Sequence, residues 1–305
     1  MRFTKESTMS SDFGFTTRWL DRIRRMKIKH GRNRTGFYKS ANFLNSQMDE
    51  SQLSDSQLTK YEGILEKAVH SNFHLKKFRK NFYYRQIVET VTPDLGFEYI
   101  KRINDLDPNF LKRSDTQKYF DNIGNPLTYK YPGVGRVSPT TLRYLAVALE
   151  LKVLFGNLNN RIIGEIGVGY GGQIKTLDTM YELKKYYAFD LFLAQSLTKK
   201  YLSRFTNKSE IIYPDIDSWN NGTKIDLVIS NYAFSELPRE TQFLYLDQVI
   251  LYSKNGYMTM NTGRGNLSGR KRNQLDLDKL LKKIPNSRII EEVPRTNVDN
   301  YIIIW

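Results

Sequence analysis

The chain of 305 residues contains no cysteine. That absence removes disulfides, thiolate nucleophiles and Cys-ligated zinc or iron–sulfur centres together, and it fits a reducing compartment. Histidine is scarce as well: His30, His70 and His74 all lie in the first third, so a histidine base would have to be delivered from there. Long apolar runs are missing. The longest, 225–230 and 301–305, are of strand length, far short of the roughly 20 residues that span a bilayer. No apolar stretch of about 7 to 15 residues follows the basic N-terminal charges, as a secretory signal requires. These absences predict a cytoplasmic protein with no membrane span. No internal repeat or low-complexity tract stands out.

Positive charge is in surplus. The formal charge is +15, and residues 1–40 hold eleven Lys/Arg against three acids. Residues 1–50 therefore read as a basic N-terminal arm, with Trp19, Leu20, Ile23 and Met26 at helical spacing inside it. Such an arm either touches a polyanion or is a solvated tail. The 20 Tyr and 17 Phe supply core bulk, and with so many hydroxyls in need of partners an aromatic-lined cleft is expected.

Residues 51–137 read as a mainly helical region followed by connecting loops. Leu58, Tyr61, Ile64, Leu65, Ala68 and Val69 fall at helical steps after a Ser/Asp start, and 73–91 reads as a second helix that Pro93 closes. The prolines and glycines of 105–137 mark turns. Ser138-Pro139-Thr140-Thr141 then opens a strong helix, with a hydroxyl cap, proline in the first turn, and Leu142, Leu145, Ala146, Leu149 and Val153 on one face, ending near Gly156.

From Arg161 strands alternate with helices. Strands are expected at 162–166, 186–189, 210–213, 226–230, 256–260, 288–293 and 301–305, and helices at 173–183, 191–205, 239–253 and 275–283. Alternation of this kind builds a mainly parallel sheet covered on both faces. The link 294–300 is too short for a crossover helix, so the last two strands must pair antiparallel.

The bend after the first of these strands reads Gly164-Glu165-Ile166-Gly167-Val168-Gly169-Tyr170-Gly171-Gly172. Glycine lets the chain turn sharply and lets a ligand reach main-chain N–H groups. Gly167, Gly169 and Gly172 with Asp190 downstream also satisfy a dinucleotide pattern, so the glycines alone leave NAD and S-adenosylmethionine open. Glu165 separates them. A carboxylate at the strand tip repels a pyrophosphate but attracts the ammonium of S-adenosylmethionine.

The closing hairpin and the segment Asp226-Leu-Val-Ile-Ser-Asn231-Tyr-Ala-Phe-Ser-Glu236 resemble class I methyltransferases. With Ser138-Pro-Thr-Thr-Leu-Arg143-Tyr-Leu and the Gly-Tyr-Gly-Gly-Gln173 run, the chain is similar, over about residues 115–265, to the sugar O-methyltransferase family of bacterial surface-polysaccharide gene clusters. The resemblance implies an α/β fold, a Rossmann-like seven-stranded methyltransferase sheet over 138–305, and S-adenosylmethionine as cofactor. Glu165, Gly167, Gly169, Tyr170, Gly171 and Asn231 are expected around the aminoacyl and methyl end, Asp190 at the ribose and Asp215 at the adenine. The implied acceptor is a sugar, nucleotide sugar or glycan.

Methylating a hydroxyl requires a base near the methyl group, and Glu236 is the candidate. Arg143 and Arg264 are candidates for acceptor binding. No ligand spacing demands a metal, although Asp215, Asp217 and Asp226 are available for one. The alternative is a nucleic-acid methyltransferase that uses the basic arm.

Overall fold

A computed structural model describes residues 60–113, 118–120, 122–219, 222–261 and 275–305. The basic arm, the helical pattern at Trp19–Met26 and Arg264 lie outside the described residues.

The C-terminal part forms the expected α/β layers. Strands β3 (Ile162–Ile166), β4 (Lys185–Phe189), β5 (Glu210–Ile212), β6 (Ile225–Asn231), β7 (Ser253–Met260), β8 (Arg288–Glu291) and β9 (Tyr301–Ile304) make one seven-stranded sheet in the order β5-β4-β3-β6-β7-β9-β8. Strands β5, β4, β3, β6 and β7 run parallel; β9 enters antiparallel between β7 and β8. The expectation of a mainly parallel sheet closed by an antiparallel hairpin is met.

Alternation along each strand divides the core between the two faces. Ile163, Tyr186, Ala188, Leu227, Ile229, Tyr257 and Ile302 point one way, toward α5 (Pro139–Phe155), α6 (Gly172–Met180) and α7 (Phe192–Leu202). Ile166, Tyr187, Phe189, Val228, Met258 and Ile303 point the other way, toward α9 (Arg239–Gln248) and α10 (Leu277–Lys283).

The N-terminal helices pack on the first face. They are α1 (Tyr61–His70), α2 (Asn72–Leu75), α3 (Phe82–Arg85) and α4 (Pro93–Leu106), followed by a small hairpin of β1 (Tyr129–Tyr131) and β2 (Gly135–Val137). Three expectations are corrected here. The stretch 73–91 is not one helix, because Ser71 and Asn81 accept backbone N–H bonds and restart the chain as short turns. Pro93 opens a helix rather than closing one: it stands in the first turn of α4, behind the Thr92 cap, where its missing N–H costs nothing. Ser138 does not cap α5 with its side chain; its hydroxyl donates to Glu89 instead.

Helix α5 is buried on nearly every side from Pro139 to Leu151. Leu142, Leu145, Ala146 and Leu149 meet α4 and the small hairpin, whereas Tyr144, Val147, Ala148 and Leu151 meet the sheet side. Val153, assigned by spacing to the apolar face, is exposed. One buried charge on α5 is matched: Glu150 accepts from Arg102 and from the Tyr257 hydroxyl.

Candidate active site at the strand ends

The carboxyl ends of β3, β4 and β6 meet at the glycine turn. Gly167, Gly169 and Gly171 all have positive φ (84°, 60° and 91°), so the turn depends on residues without a Cβ penalty. The Gly167 N–H bonds the Phe189 carbonyl at 2.8 Å, and the Gly171 N–H closes back on Val168 at 2.9 Å. A Cβ on Gly167 would lie 2.0 Å from that of Ala233, so the turn touches the loop after β6. Ser230 ties the same two segments: its hydroxyl donates to the Ile166 carbonyl and accepts from the Phe234 N–H.

Glu165 is buried at the tip of β3, where its carboxylate accepts from the Tyr186 hydroxyl at 2.7 Å. Burial pushes its pKa up to about 8; the Tyr186 bond opposes the shift and the nearby Asp190 charge adds to it. The Asn231 amide stands close enough to favour the ionised form, yet its buried Nδ2 completes no hydrogen bond. The site thus holds an acid whose pKa burial raises beside an amide donor that falls short of a full hydrogen bond.

Asp190, just after β4, accepts from the Gly169 N–H at 2.9 Å and the Leu191 N–H at 2.7 Å. Burial raises its pKa to about 6, and the N–H groups of Gly169, Leu191 and Val168 pull it back. Burial pushes the Tyr245 phenol of α9 up, and the Asp190, Asp217 and Asp215 charges add to the shift. Asp215 itself is exposed and accepts from the Asp217 N–H, as the cap of a short turn at Ile216–Ser218. Asp226 sits at the opposite end of the sheet, bound to Lys254 and the Ile162 N–H, and cannot join a metal site with Asp215. Among the described residues no group of three potential metal ligands occurs.

Tyr170 and Gly171 of the same turn pack against the helices. The Tyr170 ring is buried against Phe78 and Tyr201 with the Arg79 guanidinium 4.5 Å from its centroid. A Cβ on Gly171 would meet Thr198 at 2.7 Å. Arg143 is buried rather than on a surface. Its guanidinium lies 5.5 Å from the Tyr232 ring, and Nε has no hydrogen-bond partner. Burial works against its charge, but Tyr232, Tyr144 and Tyr99 hold its pKa above the ordinary value.

Arg143, Tyr99, Asn231, Tyr232, Thr259 and Glu292 line a cleft with free volume of about 10 Å³, room for one water. Tyr232, a bulky residue at φ 70°, donates to Glu292 and contacts the Thr296 hydroxyl. Glu236, at the end of α8 (Ala233–Glu236), accepts from Asn261 Nδ2 at 2.8 Å. The sequence reading missed Tyr99, Tyr232, Tyr245 and Glu292. Only Tyr232, next to Asn231, carried a local signal; the others arrive from distant segments.

No protein-family model and no curated protein matches the chain. Among solved structures it is similar to a proposed RNA methyltransferase of Pyrococcus horikoshii, at 13% identity over 68% of this chain and 96% of that one, with a TM-score of 0.38. Magnesium protoporphyrin IX methyltransferase of Synechocystis, solved with bound S-adenosylmethionine, shares 16% over 53% and 76%, with a TM-score of 0.41. An S-adenosylmethionine-dependent methyltransferase of Clostridium acetobutylicum shares 13% over 51% and 87%, with a TM-score of 0.40. At these values the comparisons add nothing to the mixed α/β sheet read from the strand order.

Proposed function

We propose that the chain is an S-adenosylmethionine-dependent methyltransferase that acts on a hydroxyl of a sugar or glycan. The observation that carries the reading is Glu165: an acid that burial keeps protonated near neutral pH, beside the buried Asn231 amide nitrogen, at the end of β3. A cation arriving there restores the charged carboxylate. The ammonium of S-adenosylmethionine fits that requirement; the pyrophosphate of a dinucleotide does not.

Glu165 and Asn231 would hold the aminoacyl end, with the turn at Gly167 and Gly169 allowing close approach. Asp190 would meet the ribose and Asp215 the adenine amino group. When bound, the cofactor supplies an electrophilic methyl group on a sulfonium centre. The chain's own task is to orient the acceptor oxygen and take its proton as it attacks. We assign the proton to the Glu236 carboxylate, held by Asn261 beside the loop that faces the glycine turn. Arg143 and Arg264 are assigned to the acceptor.

The carbohydrate acceptor rests on the sequence resemblance over residues 115–265. Incubation with labelled S-adenosylmethionine and a panel of nucleotide sugars, glycans and RNA tests it: label enters carbohydrate. Label in RNA alone overturns the acceptor assignment and favours the basic arm as a nucleic-acid contact. Glu236→Gln retains cofactor affinity within about twofold while turnover falls about 10²–10⁴-fold, the range of a general base. Unchanged turnover removes Glu236 from the mechanism.

A further inference from the structure

The N-terminal helices hold a second cavity, of about 410 Å³, apart from the strand-end cleft. Ile64 and the buried Phe78 give it an apolar lining, and Lys67, His74, Lys77 and Lys80 surround it; among the described residues no carboxylate lines it. None of the three lysines pairs with an acid among the described residues. Three ammonium groups around one concavity repel each other, and an anion seated between them relieves that repulsion.

Two details narrow the anion. His74 Nδ1 is buried without a hydrogen-bond partner. Phe73, 65% exposed, lies beside Lys77, whose Nζ stands 3.5 Å from its ring centroid, so a flat apolar surface adjoins the cationic cluster. The volume lies within the range of small-molecule sites. We infer that this cavity binds the diphosphate of a nucleotide-type ligand, with the lysines on the phosphates and Phe73 beneath the base. Phe78 forms part of the lining and packs edge-on against Tyr170 of the glycine turn, at 5.8 Å, so an occupant presses on the backing of the strand-end site.

Calorimetry on the full chain with UDP, UDP-glucose, pyrophosphate and a single-stranded RNA 12-mer tests this. UDP binds, and its affinity drops at least tenfold in a Lys67→Ala, Lys77→Ala, Lys80→Ala triple variant whose melting temperature is unchanged, as expected for three exposed side chains. Phe73→Ala weakens UDP but not pyrophosphate. Tighter binding of UDP-glucose than UDP identifies a nucleotide sugar as the occupant, and equal binding a free nucleotide. Absence of UDP binding at millimolar concentration, equal UDP affinity in the triple variant, or RNA binding without UDP binding overturns the inference. Titrating the same variant with S-adenosylmethionine separates the two sites: that affinity persists when UDP binding is lost, and its absence from the unmodified chain contradicts the methyl-donor reading alone.

Discussion

At Glu165 the proposed function sets stability against ligand binding. Its folded pKa, about 8, lies above the ordinary carboxylate value, so the folded state holds its proton where the unfolded chain has lost it. Its contribution to stability is therefore complete below about pH 4.5 and is lost as pH rises through about 8. Asp190 behaves likewise, but only up to about pH 6. Between pH 6.5 and 8 Glu165 dominates, and at 1.36 kcal/mol per pH unit the ligand-free protein loses on the order of 2 kcal/mol. Glu165→Gln abolishes that slope in urea unfolding and leaves the protein more stable than the parent at pH 8.5. The same variant loses at least tenfold in S-adenosylmethionine affinity. A stability-versus-pH curve of unchanged slope in the variant sinks this assignment of the buried charge. Glu165 and Asp190 could be read from their places at strand tips. The cleft around Arg143 could not, because Tyr99, Tyr232 and Glu292 come from three segments that only the folded sheet brings together.

Among the elements, the N-terminal helices are fastened to the glycine turn by buried charge. Arg79, fully buried, donates to Glu89 at 2.5 Å and lies over the Tyr170 ring; Glu89 in turn accepts from Ser138 at the head of α5. Lys200 of α7 donates to the carbonyls of Ala68 and Val69, and Val88 sits 3.6 Å from where a Gly169 Cβ would stand. Removing one partner strands the other: Arg79→Ala costs about 3–5 kcal/mol of unfolding free energy and weakens cofactor binding by loosening the turn. Arg79→Met with Glu89→Leu recovers most of that loss, as a double-mutant cycle on chemical denaturation reports. Strong apolar alternation made the strands legible to within a few residues; β7 begins earlier than expected because its first residues, Ser253 to Asn255, are polar yet pair with β6. The hairpin β1–β2 was hidden by Pro132, Gly133 and Gly135, which read as loop, and the helix α5 showed one apolar stripe where burial is nearly complete.

For the molecule as a whole, the sheet order places the glycine turn, Asp190 and the loop after β6 at one edge, and the antiparallel β9 completes that order. Trp305, following β9, bonds Gly256 through its backbone, and its ring occupies the space a Cβ on Gly256 would need. The fold and the glycine turn were legible together because both follow from strand ends and glycines. The most direct measurement is calorimetric titration of the full chain at pH 8 with S-adenosylmethionine and, separately, NAD. Saturable one-to-one binding of S-adenosylmethionine, weakened at least tenfold by Glu165→Gln, with no heat from NAD, is the predicted result; binding of NAD instead, or of neither, contradicts it.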